Sequence, residues 1–422
     1  MREGRIFIIG FTWPEPTSTA AGNRMLQLLS FFLNQNYRIV FGSTAKESER
    51  SLELKNIGVD TENILLNNSS FDEFLTQLRP DIVIFDRFLT EEQFGWRVAE
   101  FAPKALRVLD TEDLHSLRYI REKNLKSSQS FSIENWLRED LTKREIASIY
   151  RCDLSLIISS YEMKLLQEIN IDKSLLHHLP FFVNPIKEYN TANWPPYHKR
   201  HDFISIGNGK HKPNLDALRW LKKEIWPKIR TVLPEAQLSV YGAYLPQQIE
   251  QMHNSNEGFL VKGWVADAES VMALARVNLA PLRFGAGIKG KLLLGMQTGT
   301  PSVTTPIGAE GMHSNLPWGG LICESAESIA NAAFKLYTDE QEWLKAQSNG
   351  ISIINEVYDN QYHESLLMLK INELQTDLEQ HRSRNLTGVL LQHHSSLATK
   401  YMARWIEEKK RKSDNHNQNN HI

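Results

Sequence analysis

The sequence lacks three features that would place it in a specialised class of protein. Only two of its 422 residues are cysteines, Cys152 and Cys323, which excludes a disulfide framework and indicates a reducing compartment. Neither sign of charge dominates, because 48 Lys and Arg residues stand against 50 Asp and Glu residues. The first apolar run, Ile6–Phe11, is too short to cross a membrane and does not resemble a signal peptide. We therefore expect a cytoplasmic protein with no nucleic-acid partner.

Short apolar runs alternate with helix-length segments from the start of the chain. The runs are rich in β-branched residues and are bounded by Gly, Pro, Asp or Ser, as strands of a buried parallel sheet are. The strands predicted in the first half are Ile6–Gly10, Arg38–Phe41, Asp81–Phe85, Leu106–Asp110 and Leu154–Ser159. The helices predicted between them include Asn23–Asn34 and Ser132–Tyr150. This alternation predicts an α/β domain with helices on both faces of the sheet.

The alternation begins again after Asn184–Asp202, a segment with three prolines and no sustained periodicity. The second set of predicted strands is Phe203–Gly207, Leu238–Gly242, Phe259–Lys262, Val277–Pro281 and Ser302–Thr304. We therefore predict two doubly wound, Rossmann-like domains, at residues 1–184 and 203–362, joined by a linker at residues 185–202. Because such sheets bind ligands at the carboxyl ends of their strands, two facing domains predict a central cleft.

Residues 363–422 follow a different pattern, with two helices separated by a polar gap at Arg382–Thr387 and then a polar tail. The apolar side chains on one face of the second helix are Leu397, Tyr401, Met402, Trp405 and Ile406. We predict that this face packs against the rest of the chain, because an apolar helix face has to be buried. The basic run Lys409–Lys412 would then remain in water, where weak peripheral contact with a membrane is compatible with its charge.

The stretch Arg283–Thr305 combines small residues with positive charge. Gly285 and Gly287 lie in a predicted strand-to-helix turn, together with Arg283, Lys289 and Lys291. Free backbone N–H groups and the helix dipole attract anions at such a turn, and glycines let a phosphate approach the backbone. A flexible turn with solvated cations is the alternative interpretation, and the turn alone does not decide between the two.

The residues of this stretch follow a recognisable order. They are Gly285, Gly287, Lys291, Leu293, Met296, Gly299, Pro301 and Val303, followed by Thr305–Gly311. This order resembles the donor-binding signature of the retaining GT-B glycosyltransferases of the group 1, or family-four, type. Segments such as WPEPTSTAAGNRMLQLLSFF, LDTEDLHSLRYIRE and FISIGNGKHKPNLDALRW resemble other blocks of that family in the same chain order. The resemblance covers roughly residues 5–360.

The resemblance implies a pocket for a nucleotide-sugar on the second domain, with its diphosphate at the turn. The implied donor-binding residues are Gly207, Asn208, Lys210, Arg283, Gly285, Gly287, Lys289, Lys291 and Glu310. The family transfers the sugar with retention and usually without a metal ion, because fixed cations stabilise the leaving diphosphate. The absence of an Asp-x-Asp pair at a matching strand end is consistent with a site without metal, and we expect no cofactor beyond the nucleotide-sugar substrate.

Two positions depart from the family's paired glutamates. Ala286 stands where the first normally helps to hold the sugar, and Leu294 stands where the second normally meets the ribose hydroxyls. Leucine accepts no hydrogen bond, so another acceptor is needed, and Glu310 is the candidate. The family's basic pair in the first loop of the second domain is also missing, and Lys210 or Lys212 is a possible substitute.

The first domain supplies candidates for the reacting side of the cleft. Glu112, with His115 three residues on, lies nearest to the position where a family histidine often faces the sugar. Both are catalytic candidates through hydroxyl binding or acceptor positioning, and the equally supported alternative is a charged helix N-terminus. Gly22 and Arg24 are candidates for the acceptor side, although Arg24 also fits a solvated first-turn residue.

The resemblance implies a glycosyltransferase, more specifically a hexosyltransferase acting on a glycan, a lipid-linked saccharide or another acceptor. Ala286 and Leu294 leave open a second interpretation, a non-catalytic relative that binds nucleotide-sugars in a degenerate site. A GT-B sugar-nucleotide epimerase is a third, although the carboxylates and histidine of that family are not found in place. Because bacterial glycan assembly often occurs at the inner membrane, the inner face of a membrane is an alternative location.

Overall fold

A computed structural model of the chain describes residues 4–419, except for the side chains of 394–397 and 413–419. The first half contains a sheet of seven parallel strands in the order β3-β2-β1-β4-β5-β6-β7. The strands are β1 Arg5–Gly10, β2 Arg38–Ser43, β3 Asp60–Asn63, β4 Ile82–Asp86, β5 Leu106–Asp110, β6 Leu154–Ile157 and β7 Leu176–His178. The helices of this half are α1 Ala20–Asn34, α2 Ser70–Leu78, α3 Phe88–Phe101, α4 His115–Ser127, α5 Ile133–Arg138, α6 Asp140–Arg151 and α7 Ser160–Glu168.

The second half repeats the architecture with six parallel strands in the order β10-β9-β8-β11-β12-β13. The strands are β8 His201–Ile206, β9 Leu238–Tyr241, β10 Phe259–Gly263, β11 Ala275–Ala280, β12 Ser302–Thr304 and β13 Gly320–Ile322. The helices from the connection onward are α8 Glu188–Thr191, α9 Lys212–Trp220, α10 Trp226–Val232, α11 Gln247–Glu250, α12 Ala268–Leu274, α13 Gly290–Gln297, α14 Pro306–Ala309, α15 Ala326–Thr338 and α16 Glu340–Val357. The predicted fold of two Rossmann-like domains is confirmed, while the predicted domain limits stay a prediction.

The strands form where the apolar runs predict them because both faces of each sheet are covered. In the central strands β1 and β4 every apolar side chain is fully buried, which requires a continuous apolar run rather than an alternating one. Strand order reverses between β1 and β4 in the first sheet and between β8 and β11 in the second. Ligands of doubly wound sheets bind outside the strand carboxyl ends at such reversals, and the two carboxyl edges face each other here.

The three C-terminal helices, α17 Asn360–Thr376, α18 Leu378–Arg384 and α19 Leu386–Asn419, return to the first domain. Leu367, Ile371 and Leu374 of α17 join the apolar core beneath the first sheet. The predicted inward face of α19 is wrong, because Tyr401, Met402 and Trp405 are each more than 60% exposed. Leu397 lies outside the described side chains.

Helix α19 instead packs against α3 and α6 through small and charged residues. Ala403 is buried, Glu407 pairs with Arg97 at 3.1 Å, and Lys400 pairs with Glu100 at 2.7 Å. A helix face that is held by ion pairs does not follow an apolar stripe, which is why the hydrophobic pattern selected the wrong side. Residues Lys409–Lys412 are exposed, as predicted. None of the helices described is long and apolar enough to span a membrane.

Candidate functional site

The glycine-rich turn lies between β11 and α13, at the carboxyl edge of the second sheet, and touches the first domain. Gly287 has a φ of +63°, and a Cβ there would lie 2.8 Å from Cβ of Asp113 across the cleft. Its N–H donates to Oε1 of Glu162 at 2.9 Å, and this same oxygen accepts the N–H of Leu114 at 3.0 Å. Only glycine satisfies both the left-handed backbone and the close approach of the two domains.

Two lysines of the turn have neutral oxygen partners instead of carboxylates. Lys289 is buried and its Nζ donates to the carbonyl of Gly287 at 2.7 Å. Lys291 Nζ donates to Oδ1 of Asn214, on α9, at 2.9 Å. Burial lowers the pKa of Lys289 to about 8, against the opposing effect of Glu310, and lowers the pKa of Lys291 to about 7. Cations held in this way are stabilised by an anionic ligand that brings charge-assisted hydrogen bonds.

Gly207, at the end of β8, is brought next to Lys291, as the donor-site prediction requires. A Cβ on Gly207 would lie 2.6 Å from Nζ of Lys291 and 2.7 Å from Nδ2 of Asn214. The other two predicted residues of this loop lie elsewhere on the cleft. Nδ2 of Asn208 donates to the carbonyl of Ser18 in the first domain at 3.2 Å, and exposed Lys210 places its Nζ 3.5 Å from the centre of the Tyr244 ring.

Arg283 does not join the two lysines. Its guanidinium binds Asp216 of α9 through two nitrogens and lies over the ring of Trp220. Asp216 is two positions beyond Asn214, which on a helix is a rotation of about 200°. The charge of Arg283 is therefore neutralised on another side of α9 in this structure, and its contact with a diphosphate stays a prediction.

Glu310 has a partner in the first domain. Its two carboxylate oxygens accept from the two terminal nitrogens of Arg121, both at 2.8 Å, and Arg121 also donates to the carbonyl of Gly285 at 2.9 Å. Leu294 packs with an apolar cluster that includes Ile206 and Tyr241. Glu310 therefore bridges the two domains in this structure, and its role as the ribose acceptor stays a prediction.

Arg24, a candidate for the acceptor side, lies inside the first domain, and its assignment to the acceptor stays a prediction. Its side chain is fully buried and binds Asp110 through Nε and a terminal nitrogen, at 2.9 and 2.7 Å, and another nitrogen donates to the carbonyl of Leu179 at 2.9 Å. It is neither solvated nor open to the cleft. Gly22 has a packing role, because a Cβ there would lie 2.4 Å from the backbone carbon of Glu15. Both residues hold α1 and its preceding loop in place.

Glu112 and His115 lie at the carboxyl end of β5, and both have strongly shifted pKa values. Burial, followed by the charge of Asp110, raises the pKa of Glu112 to about 8. Burial lowers the pKa of His115 to about 4, although Asp113 opposes this, and Nε2 lies 3.4 Å from Oδ1 of Asp113. Near neutral pH the carboxyl is therefore mostly protonated and the imidazole neutral. Shifted pairs of this kind occur at functional sites and also in structural networks, so the catalytic assignment stays a prediction.

Several residues that face the cleft have no counterpart among the predicted site residues. Asp113 pairs with Arg118 of α4, and His211 of the second domain has a pKa lowered to about 3 by burial and by Arg118. Arg121, one turn beyond Arg118, carries the interdomain contact to Glu310. The available signal was the spacing of the two arginines on α4, since positions three apart share a helix face. No group of His, Cys, Asp and Glu that could hold a metal ion is found in the part of the chain that the structure describes.

Two Rossmann-like domains whose strand carboxyl edges enclose a charged cleft define the GT-B class of fold. Residues 200–339, which contain the turn and both lysines, match the family model described as "Glycosyl transferases group 1". The match to this model and the GT-B fold together support a glycosyltransferase. A comparison with curated proteins found no significant match.

Solved structures share this fold over nearly their whole length. Sucrose-phosphate synthase from Thermosynechococcus elongatus is 12% identical, with a TM-score of 0.67 over 88% of this chain and 99% of that one. HepE from Anabaena, in complex with UDP and glucose, is 12% identical, with a TM-score of 0.63 over 87% and 99% of the two chains. WaaG, a glycosyltransferase involved in lipopolysaccharide biosynthesis, is 12% identical, with a TM-score of 0.57 over 84% and 96%. At these identities the similarity establishes the fold.

Proposed function

We propose that the protein transfers a sugar from a nucleoside diphosphate donor to a hydroxylated acceptor, with retention of configuration. The sugar proposed is a hexose. The observation that carries this proposal is Lys291, at the edge of the glycine-rich turn: among the residues that the structure describes, an amide oxygen is the one hydrogen-bond partner of its ammonium group. A diphosphate supplies the negative charge that this ammonium group needs, and Lys289 adds a second cation two residues before it. As the sugar leaves, charge develops on the diphosphate, and fixed cations stabilise it without reorganisation.

In this proposal the nucleotide of the donor binds to the second domain. HepE has been solved in complex with UDP and with UDP-glucose, which makes UDP-glucose the first donor to test. The acceptor would enter from the first domain, and a glycan or lipid-linked saccharide fits a cleft lined with hydrogen-bonding groups. Weak contact with a membrane through Lys409–Lys412 belongs to the same proposal.

A panel of UDP-glucose, UDP-N-acetylglucosamine and GDP-mannose tests this function through release of the free nucleotide with and without candidate acceptors. We expect wild-type protein to release nucleotide from one donor and Lys291→Ala to lose most of that activity. Lys228→Ala is the matched control, because Lys228 is a half-exposed lysine of the same domain that pairs with Glu327 on the surface. Equal activity of wild type and Lys291→Ala would contradict the proposal.

The packing of Leu294 favours a second candidate function, a binding protein without turnover. Leu294 packs against the apolar cluster of Ile204, Met272 and Ala275, and it offers no carboxylate for ribose at this position. In that case the wild type binds UDP weakly and hydrolyses no donor, and Leu294→Glu increases affinity by about 1–3 kcal/mol. Turnover by the wild type would rule this candidate out.

A further inference from the structure

Arg87, the residue after β4, has an unusual backbone conformation. Its φ is +73° and its ψ is 158°, a region that is essentially restricted to glycine because a Cβ is strained there. Its N–H donates to the carbonyl of Asp110 at 2.8 Å, so the strained residue is tied to the carboxyl end of the neighbouring strand. Glycine would satisfy this backbone without strain, which means that the arginine side chain has to be explained by what it does.

The guanidinium of Arg87 is held in position by contacts that do not use its N–H donors. Its Nε lies 3.4 Å from Oδ1 of Asp86, and its central carbon lies 5.0 Å from the centre of the Phe11 ring. Asp86 is fixed in turn, because its Oδ2 accepts the N–H of Phe11 at 2.9 Å. No hydrogen bond joins the guanidinium to any residue that the structure describes, and Nε and Oδ1 are both enclosed without one. The side chain is 17% exposed, and its two terminal nitrogens carry four N–H donors.

Arg87 lies in the cleft on the side of the first domain. It follows β4 at the reversal of strand order, where doubly wound sheets bind ligands. Burial acts to lower the pKa of Arg87, but Asp86 raises it, together with the carboxylates of Glu112, Asp113 and Asp110 from the carboxyl end of β5 or just beyond it. Asp113 abuts Gly287, so this group stands directly opposite the glycine-rich turn.

The charges around Arg87 balance. Asp86 accompanies Arg87, Asp110 accompanies Arg24, and Asp113 accompanies Arg118. The remaining carboxyl, Glu112, is mostly protonated near neutral pH because its pKa is about 8. A site with free donors and no net charge suits an uncharged hydroxylated ligand better than an anion.

We propose that Arg87 binds hydroxyl oxygens of an uncharged sugar unit of the acceptor, through the free N–H groups of its two terminal nitrogens. The strained backbone, the carboxylate of Asp86 and the ring of Phe11 hold these donors in place before the acceptor arrives. This inference rests on the proposed function, since it assigns the acceptor subsite of that same cleft. It makes Arg87 a residue that determines acceptor binding.

The test measures binding of methyl α-D-glucoside, methyl α-D-galactoside and methyl α-D-mannoside by saturation-transfer NMR, with UDP present. Arg87→Ala and Arg87→Gly remove the same side chain and differ only in how they tolerate the backbone. We expect both to weaken binding of the preferred glycoside about tenfold or more, as for a lost charge-assisted hydrogen bond, and Arg87→Lys to retain part of it. The Gly variant should melt at a higher temperature than the Ala variant.

Arg79→Gly is the matched control, because Arg79 is an exposed arginine with a φ of +49° at the end of α2, outside the cleft. It should bind the glycosides as the wild type does. Equal glycoside binding by wild type and Arg87→Gly would overturn the proposal. A wild-type protein that binds UDP but none of the glycosides would overturn it too, and so would tighter binding of glucose 6-phosphate than of the glucoside. Glycoside binding that depends on Arg87 in a protein that does not bind UDP would contradict the proposed function instead.

Discussion

The two edges of the cleft use positive charge in opposite ways. On the edge of the first domain Arg87 and Arg118 each have a carboxylate partner within 4 Å, and Arg24, which is buried next to that edge, pairs with Asp110. On the edge of the second domain Lys289 and Lys291 have a carbonyl and an amide oxygen as hydrogen-bond partners. A cation paired with a carboxylate is neutralised within the fold, whereas a buried cation with a neutral partner favours an anionic ligand. This difference supports the proposal that the acceptor binds at the first edge and the diphosphate at the second.

The largest expected effect comes from breaking the ion pair between Arg24 and Asp110. Asp110→Asn leaves the fully buried guanidinium of Arg24 without its counter-charge, and removing one partner of a buried pair costs about 3–5 kcal/mol. Thermal and urea unfolding should therefore show a strongly destabilised protein. Asp60→Asn is the control, because the Arg38–Asp60 pair is more than half exposed and should contribute at most about 1 kcal/mol. Similar losses in both variants would mean that the first edge is not held by its charges.

The same experiment on the second edge should have the opposite result. Lys291→Met removes a half-buried cation that pairs with no carboxylate in the described part of the chain, so the unfolding temperature should stay the same or rise. Affinity for UDP should fall by about 1.5–3 kcal/mol, the usual contribution of a hydrogen bond to a charged group. Calorimetry of UDP binding and thermal unfolding of the same variant measure both quantities. A variant that loses stability and keeps its affinity would show Lys291 to be structural.

The dependence of UDP affinity on pH sharpens the contrast. The pKa of Lys291 is lowered to about 7 by burial, and a bound diphosphate would raise it by stabilising the ammonium form. Above pH 7 Lys291 of the free protein must therefore take up a proton when the diphosphate binds, and this proton alone should lower affinity by up to about tenfold for each pH unit. Titrations between pH 7 and 9 check this, with Lys291→Met as the variant that should lose the component due to Lys291. A flat profile would contradict the assigned protonation.

The smallest effect is expected from the paired cation next to the turn. Arg283 is bound by Asp216 and partly exposed, so Arg283→Ala should change UDP affinity by less than about 1 kcal/mol. If position in the turn alone decided which cations bind the diphosphate, Arg283→Ala would weaken UDP binding as Lys291→Met does. A loss as large as that of Lys291→Met would show that Arg283 leaves Asp216 when the nucleotide binds.

The fold could be predicted where burial alone determines it. The central strands are apolar on both faces and were found within a residue or two, whereas β3, β7 and β13 are short edge strands that were missed. In β3 the residues are Asp60–Asn63, which carry no apolar pattern at all. The predicted helix Ser132–Tyr150 is two helices, because the backbone at Glu139 is extended, with a ψ of 135°. The hydrophobic pattern of the sequence gives no sign of this break between the two helices.

Only the part of the candidate site that lies in one continuous segment of the chain could be described from the sequence. The turn with Gly285, Gly287 and Lys291 is contiguous, and its backbone and charge can be read directly. Arg283 and Glu310 have the right charge in the right segment, yet their partners, Asp216 and Arg121, come from distant parts of the chain. Whether a cation is free or paired depends on tertiary contacts, and the two edges of the cleft differ in this pairing.

The most direct test of the two-edge account compares UDP with uridine as ligands of the wild type and of Lys291→Met. Uridine has the same base and ribose but no diphosphate, so the difference between the two affinities isolates the phosphate contacts. The account predicts that the wild type binds UDP at least about tenfold more tightly than uridine, and that Lys291→Met loses most of this difference while its uridine affinity is unchanged. Equal affinities of the wild type for UDP and uridine, or an undiminished difference in the variant, would contradict it.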